Sequence, residues 1–545
     1  MPRFHKRQSI EASMDTAGNM IASRVYFLAI VTSMGAFFFG YDMAFIGTSI
    51  EDFKLEHASN SVEDAFAANI VSLLQAGCFF GSLISAPLSD HYGRKLALAL
   101  AGLAFCVGSA IQVASSGREA VIFVGRVVGG LGVGAASMLV PLYTAECSPP
   151  QIRGRLVGIF EIGVQVAMCI GLWINYGVNQ TMAPSTSQWM TPFAIQFLPG
   201  GLLLIGLLFL PDSPRWIARV KGREPARQTL SYLRGVHETH ASVDSELNDI
   251  MNQLEDERTR NLGKGTWVEI KELMQPDVRD RLFLGVLINI FFQTAGSNAI
   301  NYYSPRIFRS IGLTGSKTAL ISTGAYGLVR LVAACIAMYW TVDRFGRTRM
   351  LMCGSAVMAF CMWFIGAFVK LHSANNAHAT SHISPGSYTA AVFIFVYAVG
   401  FCFSWAGMPW IICSEIYPLR VRALCVAICT ATHWLLNFVI ARSVPYMIRN
   451  ITYGTYFIFA ICLTLAIPFV WWMVPETKGL KLEEVDNVFR NRSFWGGRKV
   501  QVSDGENCDA EKGGTKQVED IKKVGVKETE RIDTSKKDWL NTLPD

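Results

Sequence analysis

Twelve apolar runs, each near the length that crosses a bilayer, recur along this chain of 545 residues and restrict it to one class of fold. They fall near residues 26–48, 67–88, 96–115, 120–144, 156–178 and 192–211, then 280–305, 316–341, 349–370, 387–413, 422–446 and 454–474. A helix needs about 20 residues to cross the hydrocarbon core. Water is absent there, so each run must satisfy its own backbone N–H and C=O groups, and a helix does so. The expectation is an all-α membrane protein with twelve transmembrane helices.

Charge sets the orientation. Arg94, Lys95, Arg153, Arg155, Lys221, Arg223, Arg344, Arg347, Arg349, Arg420 and Arg422 sit in one alternate set of loops. The other set is poor in basic residues, and its first member, Glu51 to Asp64, is mainly acidic. The positive-inside bias puts both termini and the central polar segment in the cytoplasm. This gives a cytoplasmic N-terminus at 1–23, a six-helix bundle at 24–212 and a cytoplasmic helical linker at 213–279. A second bundle follows at 280–476, then a hydrophilic cytoplasmic tail at 477–545, expected to be largely disordered. The net charge of +7 reflects these loops, so no nucleic-acid partner is expected. The N-terminal stretch lacks the apolar centre of a cleavable signal. Sequons at Asn179 and Asn450 fall in external loops, consistent with a glycoprotein, and a third at Asn491 lies in the tail. The thirteen cysteines show no metal-ligand spacing. No nucleophile motif, metal cluster or phosphate loop is evident, so neither an enzyme nor a cofactor is expected.

The two halves echo each other. Asp90-His-Tyr-Gly-Arg94 matches Asp343-Arg-Phe-Gly-Arg347. Glu146 with Arg153 and Arg155 matches Glu415 with Arg420 and Arg422. Pro211-Asp-Ser-Pro-Arg215 matches Pro475-Glu-Thr-Lys478. Three marks in the same order twice indicate duplication into pseudo-symmetric bundles, an arrangement whose binding site lies at the interface of the repeats.

Within the first apolar run stands Asp42. A carboxylate inside a bilayer is costly and is a functional candidate by default. At 1.5 Å per residue, Asp42 lies about 27 Å along from Arg24, and Arg126 about 10 Å below the outer surface. Both fall in the outer half of the membrane, where each supplies the countercharge the other needs. Protonation of Asp42 would free Arg126; a purely structural ion pair is the alternative.

Gly40-Tyr-Asp42, Arg126-Val-Val-Gly-Gly-Leu-Gly-Val-Gly134, Pro211-Asp-Ser-Pro-Arg215, Gln293 to Ser304 and Pro475-Glu-Thr-Lys-Gly479 together resemble the sugar-porter family of the major facilitator superfamily. The likeness spans residues 24 to 490 and is greatest to the fungal branch carrying quinate and uronic acids. It implies the major-facilitator fold, a plasma-membrane location, and two bundles rocking about a central cavity. It implies proton symport through Asp42 and Arg126. It further implies a cytoplasmic latch of Asp90, Arg94, Glu146, Arg153, Asp343, Arg347, Glu415 and Arg420, paired across the halves when the inside is closed. Gln293, Asn298 and Tyr302 become substrate-facing, and Trp410 and Trp434 match positions that stack on sugars. Trp405 and Trp410 are expected to form an aromatic wall. His433 and Asn437, beside them, are candidates for substrate contact or for structural hydrogen bonds.

Three departures from the hexose-carrier pattern bear on the substrate. Phe292 and Glu161 each replace a typical Gln, and Arg330 replaces a neutral polar residue. Arg330 precedes Asp343 by thirteen residues, which puts it about 20 Å from the cytoplasmic end, near the midplane. A buried guanidinium needs an anion: either a substrate carboxylate, which it matches in a bidentate fork, or Glu161. The sequence thus points to a monomeric proton symporter of a carboxylated sugar or cyclic polyol acid such as galacturonate or quinate. A neutral hexose or pentose symporter, or a non-transporting nutrient receptor, are the alternatives.

Overall fold

The computed structural model describes residues 23–44, 63–115, 118–149, 152–182, 186–260, 272–311, 316–375, 385–418, 421–478 and 489. Eleven helices are long and apolar enough to cross a membrane, and a twelfth span is formed by a bent pair. The protein is a multi-pass, nearly all-helical membrane protein. The first six spans are α1 (Ser23–Ala44), α2 (Glu63–Tyr92), α3 (Arg94–Val113), α4 (Glu119–Cys147), α5 (Arg153–Thr181) and the pair α6 (Thr186–Ile195) and α7 (Phe197–Leu208). The linker supplies α8 (Pro214–Val220), α9 (Arg223–Arg234) and α10 (Ala241–Arg260).

The seventh span is the bent pair, α11 (Pro276–Thr294) and α12 (Ser297–Ser310). The eighth is α13 (Ser316–Ile336), continued by a π-helical turn at Ala337–Thr341 and the short α14 (Val342–Phe345). Then come α15 (Arg347–Asn375), the pair α16 (Pro385–Phe403) and α17 (Met408–Glu415), α18 (Arg422–Asn450) and α19 (Gly454–Met473).

Side-chain size sets the packing. Large apolar residues such as Phe80, Ile84, Leu103, Leu208, Trp471 and Trp472 are exposed, as suits a surface that lipid solvates. Glycines line helix contacts instead. A Cβ on Gly134 of α4 would stand 2.0 Å from the Cys78 carbonyl of α2, so the glycine-rich run after Arg126 is what lets these helices touch.

Two interruptions shape the centre. The seventh span bends by 40° at Gly296, whose φ of +89° favours glycine. The tenth breaks over residues 404–407, just before Pro409. Non-helical backbone at membrane depth is tolerated where protein or a cavity surrounds it, and both breaks lie inside the bundle.

The linker helices share a core of Trp216, Ile217, Leu230, Val243, Leu247 and Ile250. They dock on the first bundle. Trp216 Nε1 and Arg219 Nη2 donate to the Asp90 carbonyl at 3.0 and 2.8 Å, and Arg234 Nη1 donates to the Cys147 carbonyl at 2.9 Å. Arg24, at the start of α1, donates to the Tyr232 carbonyl at 2.7 Å. The start of the first span and the linker therefore share one face of the molecule, here the linker face. Asn179 and Asn450 lie exposed near the opposite ends of α5 and α18. Asn491, most of the tail and the first 22 residues lie outside the described residues.

Candidate functional site

Asp42 of α1 and Arg126 of α4 meet inside the first bundle, both fully buried. Arg126 Nη1 donates to Asp42 Oδ1, Nη2 donates to Oδ2 at 3.0 Å, and Nε donates to the Ile70 carbonyl of α2 at 2.9 Å. This fork-to-fork pairing is the strong form of a charged hydrogen bond. Removing either partner would strand a buried charge.

A second cluster lies between the bundles. His433 of α18 is surrounded by rings: Phe292 at 4.6 Å, Trp410 at 4.9 Å, Trp434 at 5.4 Å and Phe39 of α1 at 6.4 Å between centroids. Phe160 of α5 packs on Trp410 at 5.4 Å. Trp434 Nε1 crosses to Ser137 Oγ of α4 at 2.9 Å. Tyr302 Oη accepts from Gln75 Nε2 of α2 at 2.9 Å and from Asn437 Nδ2 at 3.2 Å. Gln293 Oε1 accepts from Asn298 Nδ2 at 2.8 Å.

Buried polar atoms are ordinarily paired. Here Gln293 Nε2, Trp410 Nε1, both ring nitrogens of His433 and Asn437 Oδ1 have no hydrogen-bond partner among the described residues. Donors and acceptors left over beside aromatic faces are the equipment for a hydroxylated ring: hydrogen bonds at its edge, apolar contact on its C–H face. Trp405 does not join them. Its Nε1 donates to Ser355 Oγ of α15 at 2.8 Å, so the expected wall of two tryptophans reduces to Trp410.

Arg330 of α13 is fully buried and makes four hydrogen bonds, all to neutral oxygens. Nε donates to Gln165 Oε1 at 3.0 Å, and Nη1 donates to Ser297 Oγ at 2.9 Å, Asn301 Oδ1 at 2.6 Å and Tyr326 Oη at 3.2 Å. Phe401 stacks on the guanidinium at 5.0 Å. Among the described residues Arg330 makes no ion pair. Glu161 is its neighbour only at one remove: Gln165 Nε2 donates to Glu161 Oε1. A direct Arg330–Glu161 salt bridge, one of the two anions considered above, is therefore not what the structure contains.

A family model described as "Sugar (and other) transporter" matches residues 28–489. The chain belongs to this sugar transporter family. Quinate permease from Emericella nidulans is 40% identical over 478 residues, covering 87% of this chain and 90% of that one. Probable quinate permease from Aspergillus niger is 40% identical over 481 residues, covering 87% and 89%. Among solved structures, the proton:xylose symporter XylE bound to 6-bromo-6-deoxy-D-glucose is similar with a TM-score of 0.75 at 26% identity, covering 86% of this chain and 99% of that one. The inward-open conformation of XylE from E. coli gives 0.64 at 26% identity, covering 85% and 99%. These relatives are transporters and permeases, and membership of the family makes this chain a transporter and not an enzyme.

In this sugar transporter family member three ion pairs among the described linker-face charges join residues of the same half. Arg94 Nε lies 3.0 Å from Glu146 and its Nη1 lies 3.1 Å from Asp90, all in the first bundle. Arg347 Nη2 lies 3.3 Å from Glu415 in the second. Arg422 of the second bundle also lies close enough to act electrostatically on Glu146 of the first, so the charges reach across the halves as well. Arg153 is buried at the start of α5. The side chain of Asp343 and all of Arg420 lie outside the described residues.

Six hydrogen-bonding contributors are absent from the site residues read in the sequence: Gln75, Ser137, Gln165, Ser297, Asn301 and Tyr326. Gln165 stands four residues after Glu161, one turn along the same helix face, so its spacing was the available signal. Asn301 follows Asn298 by three residues in the same way. Gln75 and Ser137 lie on apolar helices with no pattern to mark them.

Proposed function

We propose that the chain is a plasma-membrane proton symporter that imports a polyhydroxylated carboxylic acid, quinate or galacturonate, by alternating access, with both termini in the cytoplasm. The observation that supports this reading is Arg330: a buried guanidinium between the bundles, held by neutral oxygens, with no carboxylate paired to it. Its bonds to oxygen use Nε and Nη1 and leave Nη2, with the weakly accepting Cys402 thiol beside the guanidinium, for a substrate carboxylate. The unpaired atoms of Gln293, Trp410, His433 and Asn437 supply contacts for hydroxyls. The likeness to quinate permeases agrees with this chemistry. Asp42, paired with Arg126, is the site where a proton would change the charge balance of the first bundle. The linker-face charges then act as a latch whose strength differs between conformations. The transport unit is taken as a monomer.

A neutral hexose or pentose is the second reading, favoured by the likeness to a symporter named for xylose. Uptake of labelled quinate and galacturonate in a transporter-null yeast, for wild type and Arg330→Ala, separates them. Acid-stimulated uptake of one acid, lost in the variant, supports the first reading. Entry of glucose or xylose with neither acid establishes the second.

A further inference from the structure

Among the described residues, Gln165 is the side chain that hydrogen-bonds both the guanidinium of Arg330 and the carboxylate of Glu161. It sits on α5 in the first bundle, fully buried, while Arg330 belongs to the second. Its Oε1 accepts from Arg330 Nε at 3.0 Å, and its Nε2 donates to Glu161 Oε1. An amide flanked by a cation and a carboxylate has only one satisfactory orientation, oxygen toward the cation and nitrogen toward the carboxylate. Both neighbours enforce it.

We propose that Gln165 is a charge spacer: it holds Glu161 and Arg330 apart so that neither neutralises the other, and so sets the distance between two ends of the substrate site. The inference rests on the reading of Arg330 as a carboxylate anchor. Opposite charges in a low-dielectric interior attract strongly. Without the amide between them, Glu161 would close onto Arg330 and occupy the fork that a substrate carboxylate needs. With the amide in place, the two groups present opposite chemistries. Arg330 offers donors to a carboxylate; Glu161 offers acceptor oxygens to hydroxyls. A polyhydroxylated acid carries both functions on one ring, and a neutral sugar carries only the second. Gln165 is thus a specificity-determining positioning residue, acting through the two charges it separates.

The test uses the full chain in a transporter-null yeast, with surface abundance measured by immunoblot and quinate KM measured for each variant. Gln165→Met keeps the volume and removes the amide. It should raise quinate KM about tenfold or more, with smaller change in turnover per surface transporter, the split that marks lost ground-state binding. Adding Glu161→Gln removes the charge that would close onto Arg330, so the double variant should return to the KM of Glu161→Gln alone. Gln165→Glu puts a carboxylate directly on Arg330; it should raise KM in a way Glu161→Gln does not relieve, and it serves if the Met variant fails to reach the surface. An unchanged KM in either Gln165 variant, or a Met double variant no better than the single, overturns the spacer while Arg330→Ala still raises KM. If Arg330→Ala leaves quinate KM unchanged, the carboxylate-anchor reading itself fails and the spacer falls with it.

Discussion

Asp212 and Glu476 do the same job in the two halves. Asp212 Oδ1 accepts the backbone N–H groups of Arg94 and Lys95 at 3.0 and 3.4 Å, at the start of α3. Glu476 accepts those of Arg347 and Thr348 at 3.0 and 3.2 Å, at the start of α15. Each closing motif therefore folds back to cap the third helix of its own half. The first N–H groups of a helix lack intrahelical partners and favour negative charge. Room for each carboxylate comes from the preceding glycine: a Cβ on Gly93 would lie 2.2 Å from Asp212 Oδ2, and one on Gly346 2.3 Å from Glu476 Oε2.

Removing a cap costs a helix about 1 kcal/mol. Asp212→Ala and Glu476→Ala should each lower thermal stability by about that amount, measured by unfolding of the purified protein in detergent. Combined they should add, since they cap different helices.

The Asp212 carboxyl also carries a pH signature. Burial pushes its pKa above the usual carboxylate range, against the opposing pull of the Ser213, Lys95 and Arg94 backbone donors. The folded protein then holds this proton to a higher pH than the unfolded chain does. The stability linked to it is full below the ordinary carboxylate value and declines as pH rises through the raised one. Asp212→Asn keeps an acceptor oxygen and removes the titration. Melting temperature across that window should fall in the wild type relative to the Asn variant; parallel curves would contradict the linkage.

Breaking the Asp42–Arg126 pair from one side should be worse than removing it. Arg126→Leu strands a buried carboxylate, at about 3–5 kcal/mol, and should sharply reduce the folded protein recovered from membranes. Asp42→Asn on that background should restore a large part. Asp42→Asn alone, which leaves Arg126 an amide oxygen to bond, should reduce recovery less than Arg126→Leu, and the transporter that reaches the membrane should lose acid stimulation of uptake while keeping exchange of labelled for unlabelled substrate.

The Tyr302 hydroxyl accepts two amide donors, one from each half. Tyr302→Phe leaves both donors buried and unpaired, at about 1–3 kcal/mol each when fully desolvated. The melting temperature should drop, and Gln75→Leu added to it should recover part of the loss by removing one stranded donor.

Much of this was legible in the chain. The twelve spans follow from run length and the absence of water in the bilayer core. The meeting of Asp42 with Arg126 follows from depth arithmetic, because rise per residue is constant in a helix. Rotation and side-chain reach are not constrained in that way. Arg330 lies buried against the first bundle, yet its separation from Glu161 depends on a Gln165 rotamer that only the packed α5–α13 interface sets. Trp405 lies close to Trp410 in sequence, but the turn at 404–407 rotates one toward α15 and the other toward the centre. The echo between the halves marks the linker-face charges but not their partners: Arg94 with Glu146 and Arg347 with Glu415 are neighbours within one half, while Arg422 acts across to Glu146.

The chain of contacts from Glu161 through Gln165 to Arg330 is an insulator. An amide does not exchange its protons on the timescale of a transport cycle, and a guanidinium does not surrender one. On the proposed reading of Asp42 as the proton site, these three side chains relay no proton between Glu161 and Arg330. The arrival of a proton at Asp42 would then be expected to reach Arg330 through the motion of helices.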